Sequence, residues 1–194
     1  MVRAAVLVLL AGGCHADPQF ECEPMLELSD GLDSDFVALE AGGTVVVEHG
    51  PQGGNHVWFG GRVTGPGPGL LLHGRMFDNR TGEGIGGLSA DSTGYANMAD
   101  FDGCEGTFSG GRSILEGLSD DEVCALDGAS LRLEVDVQHF EGSYSYSAGG
   151  RSNPAGIPNA DATASIEVVG ALSDTVRVCI CGEGTTGDTF CSYY

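Results

Sequence analysis

The residues best suited to chemistry lie in two short stretches. Asp100-Phe101-Asp102-Gly103-Cys104-Glu105 sets three carboxylates in a glycine-containing loop. Loops rich in oxygen ligands bind calcium, a hard cation, so Asp100, Asp102 and Glu105 form the candidate metal set, although their spacing lacks the order of a twelve-residue EF-hand loop. Asp120, Asp121 and Glu122 would approach them if Cys104 bonded to Cys124. In the second stretch His49 and His56 flank Pro51-Gln52-Gly53-Gly54, with Trp58, the only tryptophan, just beyond. His56 and Trp58 are the candidate ligand residues; the plainer reading is a turn held by His and Gln hydrogen bonds. Tyr144 and Tyr146 alternate on one face, and exposed rings of this kind stack on sugars. No other cofactor is expected.

Catalytic signatures are missing. There is no Gly-x-Ser-x-Gly, no His-Glu-x-x-His and no phosphate-binding glycine loop followed by Lys. The five histidines are scattered singly. With no nucleophile–base pair or metal triad to name, a non-catalytic binding or structural module is expected. A secreted carbohydrate- or calcium-binding module is the alternative, and an enzyme of unrecognised class comes third.

Charge restricts the partners. Against 28 carboxylates stand 8 cations, all arginine, for a net charge of -20. Nucleic acid and anionic lipid surfaces need Lys and Arg to meet phosphate, so neither suits this chain.

The first residues and the cysteines point to export. Arg3 is a short basic region, Ala4 to Ala11 an apolar run, and Ala11-Gly12-Gly13 precede Cys14. This is the three-part logic of a signal peptide (1–13), too short to span a bilayer as a helix. Small residues followed by Cys resemble a bacterial lipoprotein signal, so Cys14 is the expected lipid attachment site and the lipid the expected membrane contact. Cleavage after Ala16, giving a secreted protein, is the alternative. The predicted location is the cell envelope, as an outer-membrane lipoprotein.

Six cysteines remain, an even number that reads as three disulfides in an oxidising compartment. Val176 to Cys181 alternates like a strand, which would place Cys179 and Cys181 on one face, about 6.6 Å apart with parallel side chains, and so give them different partners. The pairing chosen is Cys104–Cys124, Cys181–Cys191 and Cys22–Cys179. Cys179–Cys191 with Cys22–Cys181 stays open as a second register.

Such residues need a scaffold, and the pattern for one is an all-β chain. Residues 14–34 read as an acidic tether. Phe36–Leu39, Thr44–Glu48, Asn55–Thr64 and Leu70–Phe77 read as strands separated by Gly- and Pro-rich turns. Leu131, Leu133, Val135 and Val137 alternate with Arg132, Glu134 and Asp136, the mark of a sheet with one packed and one wet face. Ala164–Val168 and Val176–Cys181 repeat that alternation. Ser119-Asp120-Asp121-Glu122 is a capping box that predicts one short helix, with Gly128 as its C-cap.

The segment Gly50-Pro51-Gln52-Gly53-Gly54-Asn55-His56-Val57-Trp58 resembles one in a group of uncharacterised bacterial lipoproteins. Their pattern combines a leader ending in Cys, a Gly-Pro-Gln-Gly-Gly-x-His-x-Trp-like segment and later Ig-like strands. The resemblance covers residues 36–170 and implies an Ig-like fold without a known activity. The expected architecture is therefore an Ig-like antiparallel β-sandwich over 35–194 with one short helix, a Gly-rich insertion at 78–130 and a disulfide-stapled C-terminal hairpin at 176–194.

Overall fold

The computed structural model describes residues 22–31, 36–50, 54–65, 67–86, 92–140, 160–183 and 191. In chain order its elements are β1 (Met25–Ser29), β2 (Gly43–His49), β3 (Asn55–Thr64), β4 (Gly69–Asp78), β5 (Ser92–Asn97), β6 (Glu105–Leu115), α1 (Asp120–Cys124), β7 (Ser130–Phe140), β8 (Ala162–Leu172) and α2 (Asp174–Cys179). The chain is all-β, as expected. Cys14 and the leader, Pro51–Gly53, Tyr144 and Tyr146, and residues 184–190 lie outside the described residues.

Alternation decides the sheet. Leu131, Leu133, Val135 and Val137 are all 2% exposed or less, and Arg132 and Glu134 point the other way. The strands form one connected sheet in the order β1-β3-β2-β8-β7-β4-β5, with β6 added to β3. One flank of β3 is shared end to end, by β2 at residues 55–57 and β1 at 60–64; β6 runs along the other. The sheet curls until Ala99, just past β5, exchanges two backbone hydrogen bonds with Thr107 of β6 (2.6 and 3.0 Å). Because β2 and β8 run parallel, the pairing does not define a purely antiparallel Ig-like sandwich of two separate sheets.

The core fills the inside of this curl. Phe59 on β3 lies edge-on to Phe108 of β6, their centroids 6.3 Å apart. Its ring also lies so close to Gly74 on β4 and Gly111 on β6 that an added Cβ would come within 2.2 and 2.4 Å of it. Glycine at both places lets three strands close on one ring.

Several expectations are corrected. The tether is not wholly outside the fold: β1 lies within 14–34, and its Leu28 is 5% exposed. Residues 78–130 are no insertion, since they supply β5, β6 and α1. The capping box is present at α1, but the C-cap is Ala125; Gly128 (φ +70°) lies beyond it. Val176–Cys179 is helical, not a strand. Ser173 caps α2 by accepting from the Val176 amide, Asp174 sits in the first turn and Arg177 in the last. Val176 and Ile180, four residues apart, both pack toward the core.

The disulfides differ accordingly: Cys22–Cys104, Cys124–Cys181 and Cys179–Cys191 replace Cys22–Cys179, Cys104–Cys124 and Cys181–Cys191. Strand register explains the first. Thr64 pairs with Met25 on one side and Glu105 on the other, which brings Cys22 and Cys104 together at that end of β3. The helical turn sends Cys179 and Cys181 to different partners, and Arg177 binds Asp127 at 2.6 Å, docking α2 beside the end of α1 where Cys124 lies. Two features of the reading hold: Cys179 and Cys181 do not bond each other, and Cys179–Cys191 belongs to the second register considered.

Candidate functional site

Val57 and Phe59 are buried inward, so His56 and Trp58 fall on the opposite face of β3. Cross-strand register places Glu48 beside His56 and Arg112 beside Trp58. The Trp58 indole N–H donates to Glu48 Oε2 at 2.7 Å. The Arg112 guanidinium stands 5.5 Å over the Trp58 ring, and His56 meets that ring edge-on at 4.8 Å. Burial, then the Arg112 charge, lowers the His56 pKa, so the ring is neutral at pH 7. The Gly54 carbonyl accepts from it. Its Nε2 is buried and has no hydrogen-bond partner among the described residues.

His49 and His56 do not converge on one point. His49 Nδ1 is 3.0 Å from Asn55 Oδ1, and Gly50 N–H donates to the Gly54 carbonyl at 3.0 Å. The two imidazoles thus bond at either end of the turn; the Gln52 bonds of the plainer reading lie outside the described residues.

The carboxylates of the 100–105 loop also hold backbone. Asp102 Oδ1 accepts from the Cys104 and Glu105 amides at 3.0 and 2.9 Å, which keeps this carboxyl below its usual range. Glu105 faces Arg62 at 3.7 Å, and Asp100 occupies a left-handed conformation (φ +52°). Among the described residues no group of three His, Cys, Asp or Glu side chains is gathered for a metal ion. Since Cys124 bonds to Cys181, no Cys104–Cys124 bridge draws Asp120, Asp121 and Glu122 toward this loop.

Two concavities were not anticipated. The larger, about 440 Å³, lies between the turn after β4 and the α1 region. Ile85, Leu118, Leu126 and Leu131 give it an aliphatic lining, and Asp78, Glu83 and Glu122 bring carboxylates. It exists because β4 and β7 stay paired out to Asp78 opposite Leu131, after which the chain turns back and Ile85 N–H bonds the Met76 carbonyl. The smaller, about 190 Å³, lies where the sheet closes, between Phe36 and Phe108, with Ser29, Asn97, Thr107 and Ser109 around it. No motif announces either one; the capping box was the only sequence signal near the larger.

Three disulfides on a curled all-β sheet describe a protein of an oxidising, extracytoplasmic compartment. Among the described residues no helix is long and apolar enough to cross a membrane. No known protein family matches the chain, and no curated protein matches it in sequence.

Proposed function

We propose that the chain is a cell-envelope lipoprotein of the outer membrane that acts as a non-catalytic binding or structural module. The observation that carries this reading is an open groove of about 440 Å³ on a sheet cross-linked by three disulfides, a rigid scaffold with a concave face. The leader ending in Cys14 and the likeness of the 50–58 segment to bacterial lipoproteins support the anchor. The test is fractionation with intact mass. The native chain should partition with membranes and carry lipid on Cys14, and Cys14→Ser should release it into the soluble envelope fraction. A soluble native chain beginning at Asp17 would refute the anchor.

A secreted carbohydrate-binding module is the second reading, favoured by the smaller cavity. Its Phe36 ring and its Thr107 and Ser109 hydroxyls are the groups that meet a sugar's apolar and polar faces. Glycan-array binding lost in Phe36→Ala would support it, and an array with no signal would remove it.

A further inference from the structure

The larger groove has the chemistry of a particular occupant. Its aliphatic side chains belong to or border the core: Leu131 is 2% exposed and Leu126 is 7%. Gly84, Gly86 and Gly117 lend its walls backbone without side chains. Among the described residues Asp78, Glu83 and Glu122 line it against a single cation, Arg80. Arg80 is already committed, binding both carboxylate oxygens of Asp78 at 3.2 and 2.8 Å. Glu122 accepts from the Ser119 amide and hydroxyl at 2.8 and 2.7 Å, bonds that keep it ionised but supply no positive charge. Glu83 has no ion-pair partner among the described residues.

An aliphatic channel with uncompensated carboxylates matches a side chain that is itself aliphatic along its stem and cationic at its tip. Lysine and arginine are built this way. The surrounding field favours the same occupant, since a net charge of -20 repels anions and draws cations from a distance. Among the described residues a second copy of the chain offers a poor source for it. The sequence has no lysine, and each arginine among the described residues is engaged: Arg62, Arg75, Arg80, Arg132 and Arg177 in ion pairs, Arg112 over Trp58. We propose that this groove seats a lysine- or arginine-bearing peptide segment of a partner protein, with aliphatic residues beside the cation.

The proposal rests on the binding-module reading and names the class of partner. It is tested with the exported chain, disulfides intact, and a fluorescent decapeptide of alternating Leu and Lys, read by anisotropy. Ser-Lys and Leu-Glu decapeptides and spermidine serve as comparisons. The Leu-Lys peptide should bind at least about tenfold more tightly than either comparison peptide. Ala125→Trp fills the groove without changing charge and should weaken binding by about tenfold or more. Glu83→Arg, an exposed reversal away from the core, should do the same and keeps the question decidable if the tryptophan variant does not fold. Equal binding by the native chain and folded Ala125→Trp would overturn the proposal, leaving only diffuse attraction to an acidic surface. So would equal binding of the Ser-Lys peptide, complete displacement by micromolar spermidine, or a self-association that Glu83→Arg abolishes. A glycan-array signal from a chain that binds no Leu-Lys peptide would remove the peptide site and keep the binding-module reading, so the two failures are distinguishable.

Discussion

His56 is a buried imidazole held neutral, and this ties stability to pH. Its folded pKa is lowered, first by burial and then by Arg112. The unfolded chain therefore takes up a proton more readily than the folded one as pH drops below the ordinary histidine value of about 6.5. The contribution is whole above that pH and drains away below it. Melting temperature should fall between neutral and mildly acid pH, and His56→Gln should flatten that slope; an unchanged slope would place the effect elsewhere. The carboxyls of Asp78 (about 2), Asp102 and Glu122 work in a lower window. Their lowered pKa values add stability above about pH 4 that is lost as pH falls through the folded values. Asp102 supplies a second prediction. Its bonds to the Cys104 and Glu105 amides do not need an ion, so Asp102→Ala should lower the melting temperature equally in chelator and in millimolar calcium. A loss seen only with calcium would instead assign Asp100, Asp102 and Glu105 as ligands.

At the scale of elements, Phe59 is the piece on which β3, β4 and β6 converge. Gly111→Ala would press a methyl into its ring, and overpacking of this kind costs about 1–3 kcal/mol. Phe59→Leu in the same molecule should recover part of that loss, because neighbouring changes do not add. Chemical denaturation of the two single variants and the double variant measures it, and strict additivity would deny the contact. The same contact explains what could be read from the sequence. β7 and β8 were legible because apolar and polar residues alternate along them, and β2, β3 and β4 because Gly- and Pro-rich turns bound their apolar runs. β6 was not: Gly106, Gly110 and Gly111 look like a turn-rich insertion, and the need for glycine opposite Phe59 is a tertiary fact. α2 was read as a strand because Val176, Val178 and Ile180 alternate; the Ser173 cap and the Val176–Ile180 helical pair won instead. The candidate residues His56 and Trp58 were legible as types, but their neighbours Glu48 and Arg112 come from strand register.

For the whole molecule, cross-links matter more the longer the chain they enclose, but only as the logarithm of that length. Cys22–Cys104 and Cys124–Cys181 close spans of 82 and 57 residues, and Cys179–Cys191 closes only 12. Chain entropy assigns about 4–4.5 kcal/mol to each of the longer two and about 3 kcal/mol to the short one. Paired Cys→Ser variants should lose stability in that order in urea melts; a larger loss from the 179–191 pair would show that α2 docking, not chain closure, dominates. A net charge of -20 adds self-repulsion, which salt screens.

The parallel pairing of β2 with β8 has a consequence for how the molecule comes into being. Gly43 finds its partner at Val168, near the other end of the chain. An exported polypeptide crosses the membrane from its N-terminus, so β2 reaches the far side long before β8 does. Until then β2 has an open edge and the curl lacks the strand joining β2 to β7. Pairings so distant in sequence make folding slow. Assembly therefore waits for nearly the whole chain to emerge, and in that interval the unpaired edge of β2 is the place where a holding chaperone has most to protect.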